Sequence, residues 1–453
     1  MGYPKKRLGL STKKDGGYSK LIVACSALLS GFTFGFSAFQ NVLTASWKGS
    51  YGLPQETASL HQRFNQGFLY FGAMFLSAFY SKLSAREWLT LSTVFSLVGY
   101  LLIYFANWWP AEYFVIPQII MGILSGIGAG FSFGIICITP QNWLDETRNK
   151  WNPYLFIGAP IFITALLPIT SYLATVMSWT GALLIMTGIF FHQAIVATLF
   201  HQHSSEIESQ KQRALEEKEN KVPFGDKVKE FTGVLKNPGI VCMIVNCMVC
   251  SGFIMSSVFT EITNVAIEMG IDGEKAGQLI LWSAIPEVLF RPLWGELTKC
   301  FSETTLQFAW TAVLLASQIA FIFAESYWMF AIGLVLFALG LAGYSGLKYV
   351  ILIDLVGGAN LNKALFFDQM FDGLMTLIVP TISNLFIAAM GTKKVLFIVN
   401  AVAAFITLFT SWHIYRVLKR KKYEEPKKDE NQNEINEENI VLAEKKSLTA
   451  KEE

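Results

Sequence analysis

Residues 281–297 read LWSAIPEVLFRPLWGEL, a helix-length, mostly apolar run with two opposite charges near its middle. Glu287 and Arg291 stand four residues apart, so a helix carries them on one face. A guanidinium cannot shed its charge by deprotonating, and holding one at bilayer depth costs about 2.5–3.5 kcal/mol on insertion scales. Two arrangements offset that cost. In one, Arg291 faces a water-filled cavity and grips a substrate carboxylate with its planar fork, Glu287 being its resting partner or a proton site. In the other, the two form a permanent bridge that locks helix packing. Intramembrane ions are read first as functional.

The rest of the chain agrees with a membrane setting. Of 453 residues, 53% are hydrophobic and only 15% charged, which excludes a soluble multidomain protein. Apolar runs of span length fall at about 20–46, 65–82, 87–106, 113–139, 153–174 and 178–200, then at about 238–262, 276–297, 304–324, 327–355, 363–389 and 395–417. The expected fold is therefore an all-α polytopic membrane protein of twelve transmembrane helices in two six-helix bundles, 20–200 and 238–417. They are flanked by a cytosolic N-terminus (1–19), a polar cytosolic connector (201–237) and a charged, disordered cytosolic tail (418–453). With the N-terminus inside, inner segments carry 19 Lys and Arg against five in the outer loops, so both termini are expected in the cytosol. The first apolar run has no cleavage-site pattern and is expected to remain as a span. Plasma membrane is the expected location, with lipid as the surroundings.

The halves echo each other. Ser30-Gly31-Phe32 recurs as Ser251-Gly252-Phe253, and Ala129-Gly130-Phe131-Ser132 as Ala342-Gly343-Tyr344-Ser345. Parallel repeats of this kind enclose a central site and rock about it in alternating access, which makes a transporter the natural inference. The six cysteines lie in or beside apolar runs, and the single C-x-x-C (Cys247, Cys250) lacks a second ligand pair, so neither a disulfide framework nor a zinc site is expected. No cofactor or other metal is implied, and a net charge of +2 gives no reason to expect nucleic acid. The spans hold no H-E-x-x-H or G-x-S-x-G, which sets aside a membrane-embedded enzyme.

Four short motifs carry a family resemblance. Asp15-Gly16-Gly17-Tyr18, just before the first span, resembles the Asp-Gly-Gly-aromatic signature that opens members of the monocarboxylate transporter family, within the major facilitator superfamily. Glu287 through Arg291-Pro292 resembles that family's helix 8 Asp-x-x-x-Arg-Pro, with Glu for Asp. Asp354-Leu355-Val356-Gly357 resembles its Asp-Leu-Val-Gly, and Met177-Ser178-Trp179 its Gly-Trp-Arg. The resemblance implies carriage of a small organic anion such as lactate or pyruvate, with or without protons. It assigns Arg291 to the substrate carboxylate, Glu287 to the acidic group that titrates or releases that arginine, and Asp15 to a structural signature. Some relatives require a single-span accessory glycoprotein. One departure is plain: the family's helix 1 Phe-Pro-Lys reads Phe36-Ser37-Ala38, so the lysine that takes part in proton and anion binding is missing. That leaves open branches that carry aromatic amino acids or other organic solutes without proton coupling, and a non-transporting sensor or scaffold.

Other polar residues at bilayer depth are candidates. Lys348 lies towards the inner end of its run, where long lysines snorkel to the interface. Asp368 and Asp372, four apart, repel if both ionise, and Lys348 is the nearest cation by depth. The three are expected to form an inner gate or proton relay. Gln40, Asn41 and Asn246 either reach the substrate or bond across helices.

Overall fold

The computed structural model describes residues 6, 7, 9–208 and 224–420. Most of the connector's middle (209–223) and the tail beyond Arg420 lie outside them, so the expectation of a disordered tail concerns residues that are not described. A two-residue ribbon, Lys6–Arg7 paired antiparallel with Leu10–Ser11, precedes the first helix.

The twelve crossings are all present. They are α1 (Gly17–Tyr51), α2 (Leu60–Phe79), α3 (Ala85–Phe105) and α4 (Val115–Trp143). The run Gly158–Phe191 contains α5 (158–177) and α6 (from 179), the latter continued by Gln193–Leu199. In the second half α7 runs through Pro238–Cys247, Met248–Met255 and Ser256–Glu268. It is followed by α8 (Leu281–Leu297), α9 (Glu303–Ile322), α10 (Tyr327–Val356), α11 (Leu361–Met390) and α12 (Val395–Arg420). Nine stretches are long and apolar enough to cross a bilayer, one of them holding both α5 and α6. The two crossings outside those nine are α2, which opens with His61, Gln62 and Arg63, and the 17-residue α8 with its buried charges. Polar residues of this kind are tolerated only on helices that face protein.

The division between α5 and α6 has a local cause. Ser178 has φ +62° and ψ 169°, a region that suits glycine, and its hydroxyl is 2.8 Å from that of Thr180. Matching Trp179 to the tryptophan of the Gly-Trp-Arg pattern puts Ser178 where that pattern has glycine. Ser178 thus holds a backbone conformation that suits glycine.

The two sequence echoes fall at equivalent places in the halves. An added Cβ on Gly31 (α1) would meet the Phe162 ring of α5, and one on Gly252 (α7) would meet Met375 of α11. Gly130 (α4) likewise abuts the α2 backbone, and Gly343 (α10) abuts Trp310 of α9 and Trp294 of α8. The geometry parts at α7, where Met248–Met255 is π-helical while α1 is regular. Ser251 Oγ there donates to Cys247 O at 2.7 Å. π segments concentrate at functional sites.

The halves meet through α2 against α11, and through the two short turns that lead into α5 (Arg148–Trp151 and Asn152–Phe156, called here the start of α5) against α8 and α10. At the end of the bundle where α1 begins, called here the N-terminal face, this contact is close. Lys150 O would be 2.8 Å from a Cβ on Gly295, Pro153 packs on Gly346, and Asn149 Nδ2 donates to Glu303. Trp108, Trp109, Tyr113, Tyr172, Trp282 and Trp328 are exposed near the opposite ends of the helices, as interfacial aromatic belts are.

Candidate functional site

Two charged clusters lie in the second half. In the first, Arg291 donates from Nη2 to Glu287 Oε1, one helical turn back, and from Nη1 to Ser345 Oγ of α10 at 2.8 Å. Ser345 in turn donates to Leu341 O at 2.8 Å, which fixes its lone pair toward the guanidinium. Arg291 is only 4% exposed, and its Nε has no partner among the described residues. The Phe156 ring of the first half lies across the guanidinium, 5.9 Å from centroid to Cζ. Pro286 and Pro292 flank the pair inside α8, each removing a backbone donor from that helix.

In the second cluster, Lys348 Nζ of α10 is 2.7 Å from Asp368 Oδ2 and 3.3 Å from Asp372 Oδ2, both on α11, and donates to Tyr344 OH at 3.0 Å. Tyr344 OH is also 3.3 Å from Ser251 Oγ in the π segment of α7. The lysine does not snorkel; it is buried and paired. Oδ1 of each aspartate is buried without a partner among the described residues. Sequence spacing gave the three charges, but it missed Tyr344, Ser345, Ser251 and Phe156. Tyr344 was the one within reach, since it stands four residues before Lys348 on the same face of α10.

Residues 344–349 of α10 join the clusters. Lys348 pairs with α11, Tyr344 accepts from Lys348 and reaches Ser251 of α7, Ser345 binds Arg291, and Tyr349 stacks on Phe156 with centroids 5.9 Å apart.

Other expected site residues lie elsewhere. Gln40 is buried in the first half, its backbone oxygen 3.2 Å from His61 Nε2, and Asn41 is exposed and accepts from Gln62 Nε2 at 2.9 Å. Neither bonds to Arg291 or its partners, because the turn of α1 that carries them faces α2. Asn246 donates to Ser411 Oγ of α12 at 2.8 Å, so it ties helices together. Asp15, at φ +56°, accepts from the backbone N–H groups of Asp145 and Glu146 and from the Thr147 hydroxyl. Partial burial works to raise its pKa, but those donors outweigh it and hold the carboxyl below its ordinary value. Added Cβ atoms would press Gly16 against Lys13 O and Gly17 against the Leu10 side chain, which accounts for both glycines of the signature. Asp354 is exposed at the end of α10, and Gly357 closes that helix at φ +75°. No group of three or more His, Cys, Asp or Glu among the described residues is placed to hold a metal, and His203 is instead turned onto Trp143.

Comparison with known proteins places this architecture. The profile of the Major Facilitator Superfamily matches residues 23–285 and 242–451. The chain belongs to that superfamily. As a superfamily member it is a membrane transporter and not an enzyme. Among its relatives are Monocarboxylate transporter 2 of Meriones unguiculatus, 22% identical over 92% of this chain and 89% of the relative, and Monocarboxylate transporter 2 of Homo sapiens, 19% identical over 91% and 89%. It is a divergent relative of these carriers. Its fold is similar to that of a double Trp XylE mutant, with a TM-score of 0.71 and 13% identity over 88% of this chain and 96% of that one. The XylE proton:xylose symporter bound to 6-bromo-6-deoxy-D-glucose has a TM-score of 0.64 and 16% identity, over 87% and 95%. At such identities these structures speak for the fold alone.

Proposed function

We propose that this superfamily member carries a small organic monocarboxylate by alternating access, with Arg291 as the carboxylate anchor and Lys348, Asp368 and Asp372 as the proton site. The observation that carries the reading is the buried Glu287–Arg291 pair, whose arginine keeps an unpartnered Nε. A buried guanidinium whose Nε–H has no partner among the described residues has a donor left for an arriving carboxylate. The similarity to carriers named monocarboxylate transporters supports the same substrate class.

Coupling follows from charge. One lysine faces two carboxylates, so the fully ionised set carries one excess negative charge, and a single proton neutralises it. That set supplies a titratable site although Ala38 stands where the family's helix 1 pattern has its lysine. The Lys and Arg distribution supports an orientation with both termini in the cytosol.

The test is uptake of labelled carboxylates into proteoliposomes, with and without an inward proton gradient. Wild type is expected to take up at least one carboxylate, Arg291→Ala to abolish that uptake, and Asp372→Asn to remove its response to the gradient. Normal uptake by Arg291→Ala would make the pair structural, and an unchanged gradient response in Asp372→Asn would move coupling elsewhere.

A further inference from the structure

The ammonium of Lys348 has three hydrogens, and three oxygens stand within reach of it: Asp368 Oδ2 at 2.7 Å, Asp372 Oδ2 at 3.3 Å and Tyr344 OH at 3.0 Å. Tyr344 therefore receives a hydrogen from the lysine and has its own to give. Ser251 Oγ lies 3.3 Å from it, and the serine's own hydrogen goes to Cys247 O at 2.7 Å. Donors and acceptors thus run one way, from Lys348 through Tyr344 and Ser251 to a backbone carbonyl of α7. Every side chain in the run is buried. Cys247 is the last residue of the α-helical part of α7, and the π segment begins at the next one. In α1 the matching serine of the sequence echo, Ser30, donates to Ala27 O at 2.7 Å inside a regular helix. The π segment accompanies the copy that faces the charges.

We propose that Tyr344 is a positioning residue through which the charge on Lys348, Asp368 and Asp372 acts on α7, by way of Ser251 at the head of the π segment. This rests on the reading of those three residues as the proton site. An ionised carboxylate only accepts, but a protonated one also holds an O–H that needs an acceptor when buried. Once Asp372 carries a proton it no longer draws the ammonium, which is left to Asp368, and its new O–H turns to the oxygens around it. Ser251 is one of them, for it already interacts with the Asp372 carboxyl. Both changes alter what Tyr344 receives and what Ser251 offers, and the contact they share passes the change to the Cys247 carbonyl. The other titratable groups facing this set are Tyr349 on α10, Cys247 and Cys250 on α7, Cys137 on α4 and Tyr70 on α2. These are thiols and phenols, uncharged near neutral pH, so the carboxylates are the groups whose charge changes. Ser345, the partner of Arg291, is the next residue of the same turn, so a shift of α10 at Tyr344 also reaches the anion site.

The test uses proteoliposomes of the full chain with labelled lactate, pyruvate and phenylalanine, and reads the ratio of uptake with an inward proton gradient to uptake without one. Tyr344→Phe and Ser251→Ala, each checked for monodispersity, remove one hydroxyl apiece from different helices, so either decides alone should the other fail to fold. Each is expected to bring the ratio down several-fold toward one, and the double variant no further than either single, because the run is already broken. A packing defect lowers uptake with and without the gradient alike and leaves the ratio where it was. A wild-type ratio in either single variant therefore overturns the inference, and the proton-site reading still stands where Asp372→Asn has lost its response. Losses that add in the double variant show two hydroxyls acting separately and also overturn it. A wild type indifferent to the gradient ends the proton-site reading, one that carries none of the three ends the carboxylate reading, and in both cases the inference goes with it.

Discussion

Lys348 on α10 reaches Asp368 on α11 at 2.7 Å with both side chains sealed from solvent, so the contact between these helices is ionic where their neighbours are apolar. Removing one member of a buried pair strands the other, at a cost of about 3–5 kcal/mol. Lys348→Met leaves two carboxylates facing each other and is expected to lower the Tm of the detergent-solubilised protein by many degrees. Adding Asp368→Asn should restore much of the loss, because the charge left over is then one aspartate. Thermal unfolding of the two single variants and the double variant measures the coupling, and additive losses would show that the pair is not a unit.

Ser178 stores a different kind of cost. At φ +62° and ψ 169° it holds a conformation that costs a residue with a side chain about 1–3 kcal/mol and glycine almost nothing. Ser178→Gly also loses the contact to the Thr180 hydroxyl, which is exposed and worth little. The variant is expected to be more stable by about 1 kcal/mol, read as a small rise in Tm. A fall in Tm would mean that Ser178 contributes more through its hydroxyl than it loses in its backbone.

What the sequence made legible was whatever a single helix or bilayer depth could decide. Glu287 and Arg291 share one turn of α8, so their contact needed no knowledge of packing. Lys348, Asp368 and Asp372 could be grouped because charges at one depth must find each other. Ser345 and Phe156 were out of reach, since they meet Arg291 only through the crossing of α8 with α10 and with the start of α5. Gln40 and Asn41 share that depth but bond to His61 and Gln62 of α2, a pairing that depth cannot report. The π segment of α7 left no mark either, for its Ser-Gly-Phe matches the regular helix at Ser30-Gly31-Phe32.

Glu206 gives the N-terminal face a pH dependence. Burial pushes its carboxyl from an ordinary 4.5 up to about 7, against hydrogen bonds from Tyr80, Gln202, Asn142 and the His203 backbone. Other charges near it are His203 itself, with Lys14 and Glu208 acting on that ring. Because the docked value is the higher one, docking of residues 203–208 is at full strength below about 4.5 and weakens as pH rises through about 7. Amide protection factors across 203–208 are therefore expected to be larger at pH 5.5 than at pH 8. Glu206→Gln, neutral throughout, should hold the higher protection at both values. Equal protection in the wild type at the two pH values would mean that the carboxyl is not docked as described.

Gly295 sets how closely the halves approach at the same face. A Cβ there would stand 2.8 Å from Lys150 O, which is backbone and cannot turn aside. Gly295→Leu must therefore part α8 from the start of α5 or distort one of them. The expected result is a population shifted toward states open at the N-terminal face. The adjoining contact between Asn149 and Glu303 reports it. With Asn149→Cys and Glu303→Cys introduced together, oxidative cross-linking should be efficient in the parent and several-fold slower once Gly295→Leu is added. A cross-linking rate that does not change would mean the two halves absorb the side chain without separating. The close approach at Gly295 would then have no part in holding that face shut.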